Sequence, residues 1–294
     1  MWLTAITGKM YAPKRKGRDV LDGVILLWFV LTAMAVLFVA IDIRTTPESP
    51  VLKWGFVLVT AYTGMFGAFL YVLGCREPLP GLHEQYTSSR WRQALGSTMH
   101  CVAGDGVGIL VGAVVAGALQ LSGWREVILE YVLGFAIGWM IFQALFMRDM
   151  VGGSYPRSLT STFIPELLSM NLLMAGMVPT MMLLKMRVAS TSPATPVFWF
   201  VMSMALLVGS ILSYPMNWWL VSYHLKHGML TVRPTAAVAH VHRAPAAVPA
   251  PSPEMQSMDM GRKPTPRPPV PVMTLLSFVA LGAGLSIAWL FGSM

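Results

Sequence analysis

The chain has 294 residues, of which 55% are hydrophobic and only 12% charged, with a mean hydropathy of +0.61. That balance excludes an ordinary soluble domain. The formal charge of +8 does not point to nucleic acid, because the basic residues are spread among the segments that separate long apolar stretches.

A hydrocarbon core of about 30 Å needs about 20 apolar residues per helical crossing. Seven stretches meet that length, at 22–43, 54–75, 96–121, 126–148, 160–186, 196–222 and 272–292. The expected fold is therefore an all-α integral membrane helical bundle of about seven transmembrane helices. With the N-terminus placed in the cytoplasm, sixteen of the 21 Lys and Arg fall inside and five outside. The positive-inside rule then predicts a cytoplasmic N-terminus and an outside C-terminus.

Residues 1–19 form a basic cytoplasmic tail. The first stretch is too long for a signal-peptide core and shows no small-residue cleavage site, so it reads as a retained helix. Residues 20–95 read as a two-helix unit followed by a cytoplasmic loop. The two cysteines, Cys75 and Cys101, cannot build a disulfide framework. Both fall at cytoplasmic helix ends in this topology.

Residues 96–229 read as a four-helix core that carries the candidate site. Its first helix places His100, Cys101 and Asp105 on one arc of about 140°, together with Gly104, Gly108 and Gly112. Ionisable groups are costly in lipid and default to a functional hypothesis. The glycine spacing allows a second helix to approach closely, and Gly134 and Gly138 repeat it on the next helix. The stretch at 160–186 lines up Glu166, Met170, Met174, Met177 and Met181 within about 80°, with Asn171 to one side. Thioethers are soft donors that suit Cu(I), and they are also common core fillers. The stretch at 196–222 runs through Pro215 and Asn217 towards His224 and His227, two imidazoles spaced to share a helix face and a metal. Gly228 is expected to end that helix. In the expected topology all these groups share the inner half of the bilayer, and Glu130 lies near the outer surface.

Residues 230–271 hold ten of the 21 prolines and read as a Pro/Ala-rich cytoplasmic linker. The linker also contains His240, His242, Met255, Met258 and Met260, a pattern resembling metal-catching tails of copper proteins. Residues 272–294 form the terminal transmembrane helix, with no ionisable side chain.

Two motifs carry a family resemblance. They are Met99-His100-Cys101-Val-Ala-Gly104-Asp105 at a helix start and Pro215-Met216-Asn217-Trp218-Trp219-Leu220 near a later helix end. Over about residues 90–230 the chain resembles a bacterial polytopic membrane family, domain of unknown function 4396. The resemblance implies a helical membrane domain in a bacterial cytoplasmic membrane and no established reaction. Asp105 is more acidic than the pattern leads one to expect.

The leading functional expectation is transition-metal handling or transport, with copper as the ion. The expected ligand set is His100, Cys101, Asp105, Glu166, Met170, Met174, His224 and His227, oriented by Asn171 and Asn217. One alternative is a membrane-embedded redox or metal-dependent enzyme using His100, Cys101 and Asp105. Another is a non-catalytic assembly subunit that meets a membrane partner through its glycine-rich faces. The lipid bilayer is the one partner the composition implies.

Overall fold

The computed structural model describes residues 15–148, 153–188, 192–229 and 265–292. The basic tail up to Lys14, and the linker histidines and methionines at 240–260, lie outside the described residues. The described chain is all-helical and contains no sheet. Its elements are α1 (Arg15–Asp42), α2 (Pro50–Thr63), α3 (Met65–Gly74), α4 (His83–Thr87), α5 (Arg90–Ala118), α6 (Trp124–Ala136), a π-helical segment (Ile137–Gln143), α7 (Ala144–Arg148), α8 (Tyr155–Lys185), α9 (Pro196–Ser222) and α10 (Val270–Gly292).

Six helical stretches are long and apolar enough to cross a membrane: α1, α5, the continuous run from α6 to α7, α8, α9 and α10. The expected crossing at 54–75 is different. It divides at Gly64, whose φ of 61° is left-handed, into α2 and α3. A β-carbon at Gly64 would also lie 2.8 Å from the Thr32 hydroxyl, so this corner suits glycine on both counts.

The two short helices fold back on each other. Phe56 meets Tyr71 ring to ring at 5.6 Å, and Gly67 packs on the Thr60 backbone, so the pairing is antiparallel. Along α1, Thr32 touches Gly64, Phe38 meets Tyr71, and Asp42 takes hydrogen bonds from Tyr71 and Arg76. Helix α3 therefore climbs parallel to α1 and ends level with Asp42, where α2 began. Thr32 precedes Asp42 by ten residues, or about 15 Å, which is half a bilayer core. The segment is a re-entrant hairpin. The expectation of seven crossings with chain ends on opposite faces gives way to six candidate crossings. The cause is invisible to hydropathy, since a folded pair of short apolar helices has the same composition as one long helix. Polar backbone at a re-entrant tip is tolerated where protein surrounds it; here Trp28 and Thr32 cover Gly64.

Helices α5 and α8 are the most buried candidate crossings, and α1 and α10 the least. The glycine ladder works as expected. A β-carbon on Gly104 would lie 2.9 Å from the Gly138 Cα, one on Gly108 2.6 Å from the Gly134 Cα, and one on Gly112 2.8 Å from the Glu130 Cα. Helices α5 and α6 thus touch backbone to backbone. Helix α10 packs along α8, with Gly284 on the Ala175 backbone and Ser277 accepting from Asn171 at 3.0 Å.

Candidate functional site

Two buried polar clusters stand out. The first lies where α5, the π-helical segment, α8 and the end of α9 meet. Cys101 is fully buried, and its Sγ lies 2.9 Å from Glu166 Oε2. Gln143 Nε2 donates to the same sulfur at 3.1 Å, and Lys226 Nζ donates to it as well. Lys226 also forms a buried ion pair with Glu166 Oε2 at 3.0 Å. Asn217 lies at the margin, with its Oδ1 4.0 Å from the sulfur, and its Nδ2 bonds to Ser169 and to the Ser213 carbonyl.

Asp105 is fully buried beside Glu166, and neither of its carboxyl oxygens has a hydrogen-bond partner among the described residues. Glu166 Oε1 also lacks a donor among the described residues, and carboxyl oxygens that face each other in this way are satisfied by a proton held in common or by a cation. Gly138 makes their approach possible, because a β-carbon there would collide with Asp105 Oδ1 and sit 3.0 Å from Glu166 Oε1. The π-helical segment that begins beside Gly138 turns Gln143 towards the sulfur. Such bulges concentrate at functional sites because they re-aim side chains without ending a helix.

The sequence reading placed Cys101, Asp105, Glu166 and Asn217 together, and the structure brings them together. His100 is adjacent but turns away. Its Nε2 lies 3.2 Å from the Phe142 carbonyl, and its ring rests 4.8 Å from that of Phe146. Asn171 leaves the cluster; it accepts from Tyr131 at 2.7 Å and donates to Ser277 on α10. Met170 and Met174 are buried among the apolar side chains of the main core.

His224 and His227 do not share a helix. Helix α9 ends at Ser222, before Gly228 and not at it. His224 adopts a left-handed φ of 55°, and the Leu225 amide donates back to the Leu220 carbonyl at 2.9 Å. That is the pattern of a left-handed helix cap, here with histidine in place of the usual glycine. The cap turns the chain back under the bundle and delivers Lys226 to Cys101. Sequence reasoning missed Lys226 because it looked like one more cation on a cytoplasmic loop. It missed Gln143 because a uniform helical wheel cannot register a π turn. Glu130 is fully buried against Gly112, and its carboxyl oxygens have no hydrogen-bond partner among the described residues.

The second cluster lies at the mouth of the re-entrant hairpin. Glu48 precedes α2, Cys75 follows α3, and His83 opens α4. All three are buried, and one ligand atom from each lies within 4.8 Å of the others. Glu48 Oε1 accepts from the Ser49 amide at 2.8 Å, and Glu48 Oε2 faces His83 Nε2 at 4.0 Å. Burial pushes the Cys75 thiol well above its ordinary value, and the Glu48 carboxylate pushes it further. Among the described residues this is the group of three imidazole, thiol and carboxylate side chains close enough to share one metal ion. The expected topology hid it, because it put Glu48 and Cys75 on opposite faces of the membrane.

A family model described as Domain of unknown function (DUF4396) matches residues 90–226. Residues 90–226 are similar to that domain. The matched segment runs from the first residue of α5 to Lys226, so it contains the whole first cluster and stops short of the second. No curated protein and no solved structure matches the chain.

Proposed function

We propose that this protein handles a transition metal at the membrane and that Glu48, Cys75 and His83 hold the ion. The observation that carries the proposal is the meeting of a carboxylate, a thiol and an imidazole from three chain segments at one buried point. These donors suit zinc and copper and are poor partners for magnesium or calcium. Three protein ligands leave a fourth position for water or for a passing ligand.

The expected copper set in the DUF4396 domain has weaker support. The Lys226 ammonium takes the place beside Cys101 and Glu166 that a metal cation would need. Its contacts support a role for Asp105 and Glu166 in holding a proton or countercharge within the bundle. Orientation follows from a recount of the described cations. Nine lie on the face of the hairpin mouth: Arg44, Lys53, Arg76, Arg90, Arg92, Arg148, Arg157, Lys226 and Arg267. Three lie on the other: Arg125, Lys185 and Arg187. The positive-inside rule makes the nine-residue face cytoplasmic and turns the start of α1 and the end of α10 outward.

Elemental analysis of the detergent-purified full chain tests the metal site. About one zinc or copper ion per chain is expected. A Cys75→Ser/His83→Ala variant should retain less than a tenth of it, and a His100→Ala/Met170→Leu variant should retain all of it. A wild-type chain that stays metal-free after incubation with Zn2+ and with Cu+ would overturn the reading. Loss of metal only in the second variant would move the site into the DUF4396 domain.

One observation bears on a second reading, a membrane-embedded enzyme: the Cys101 sulfur meets an ammonium ion, which favours a thiolate, against its full burial beside the Glu166 carboxylate, which opposes one. Selective alkylation at Cys101, compared with a Cys101→Ser variant, discriminates the two. The enzyme reading predicts loss of any thiol-dependent turnover without loss of bound metal.

A further inference from the structure

In the first cluster one ammonium, Lys226, stands against two carboxyl groups, Asp105 and Glu166, and its ion pair is with Glu166. The same arithmetic recurs nearer the opposite face. There Lys185 of α8 pairs with Glu126 of α6 at 2.6 Å, and Glu130, one turn further along α6, is left over. Glu130 is fully buried, and both its carboxyl oxygens lack a hydrogen-bond partner among the described residues, as do those of Asp105. The charged groups around Glu130 are Glu126 and Lys185. Those around Asp105 are Glu166 and Lys226, with Cys101, His100 and Tyr131 as the titratable neighbours. A leftover charge inside the bundle is costly, and a single proton at each level removes it.

The two levels lie on one seam. Gly112 of α5 packs on Glu130, and Asp105 comes seven residues earlier, about 10 Å along the helix. Gly138 of the π-helical segment faces Asp105 and Glu166. Gly134, between the levels, faces two apolar side chains: a β-carbon there would lie 2.7 Å from Met170 Cε and 2.8 Å from Ile109 Cγ1. The partition is therefore a glycine gap filled partly by the tip of an unbranched, adaptable thioether.

We propose that this seam carries protons across the membrane, with Glu130 as the station for one face and the Asp105–Glu166 pair as the station for the hairpin face. The Glu126–Lys185 pair is only part-buried and brings the first station within a helical turn of its surface. The second station meets its surface through Lys226. That lysine lines a hollow of about 10 Å³ beside His100 and Gln143, room for about one water, and also an open cavity of about 330 Å³. When Met170 swings off Gly134, water joins the stations. A proton leaves the Glu130 carboxyl and reaches the Asp105–Glu166 pair. Glu130 takes a proton from its own face, and the pair releases one to the other. One proton has then crossed, and the chain is unchanged. The seam shares no residue with Glu48, Cys75 and His83, so the metal reading and this one can fail separately.

The test reconstitutes the full chain in liposomes that enclose a pH-sensitive dye and drives protons with a valinomycin-imposed potassium potential. Protein-dependent proton uptake is expected, faster in a Met170→Ala variant than in wild type. Adding Glu130→Gln or Asp105→Asn to either chain should slow it at least tenfold, with the unfolding midpoint retained. Uptake in neither wild type nor Met170→Ala, or uptake that either carboxyl substitution leaves unchanged, overturns the proposal. If a carboxyl variant does not fold, the infrared spectrum of the wild type near neutral pH decides. A carbonyl band of protonated carboxyl groups that shifts in D2O is expected, and its absence overturns the proposal.

Discussion

Lys226 shows how much one side chain decides in this molecule. It brings a full charge into a buried site, where Glu166 and the Cys101 sulfur are in direct contact with it. Removing one member of such a pair leaves the other uncompensated, at a cost of about 3–5 kcal/mol. A Lys226→Met variant is therefore expected to unfold at a markedly lower temperature in detergent. Lys226→Met combined with Glu166→Gln should recover most of that loss, because neither residue then carries an unpaired charge. A double variant no more stable than the single one would show that Lys226 acts through packing and not through its charge. At this scale the sequence was half legible. Cys101, Asp105, Glu166 and Asn217 could be grouped because each sits on a regular helix, where 100° per residue holds. Lys226 and Gln143 could not. One is delivered by a left-handed cap on a histidine, and the other by a π turn, and neither feature has a reliable composition signal.

Among the elements, the helices themselves were legible from apolar length, and the α5–α6 contact from glycine spacing. A Gly108→Leu substitution is expected to force α5 and α6 apart and to destabilise the protein by about 1–3 kcal/mol. Unfolding midpoints of the variant and of a lipid-facing control, Val111→Leu, would show it. The hairpin was not legible, since the sequence carries no proline or polar break at its tip, only Thr63-Gly64. Gly64→Ala should destabilise that corner, because a left-handed φ costs an L-residue about 1–2 kcal/mol and the β-carbon would press on Thr32. The expected readout is faster labelling of Cys75 by a thiol reagent, measured in a Cys101→Ser background. Unchanged labelling would mean that the corner does not hold the hairpin closed.

For the whole molecule, six candidate crossings in place of the seven expected put the start of α1 and the end of α10 on the same face. Reporter fusions at Met1 and after Met294 should respond on the same side of the membrane. Single cysteines placed at Val51 and Arg76, at the two ends of the hairpin, should both be labelled by an impermeant maleimide added to that hairpin face. Labelling of the two positions from opposite faces would restore a true crossing. The re-entrant hairpin also gives the molecule unequal widths in the two leaflets. It adds two helices, each about 10 Å across, to the cross-section of one leaflet and none to the other. Beneath Gly64, Trp28 of α1 and its neighbour Phe200 of α9 close over the tip. The protein is thus a wedge, and a wedge bends the sheet it sits in. It should settle preferentially in bilayers already curved in that sense.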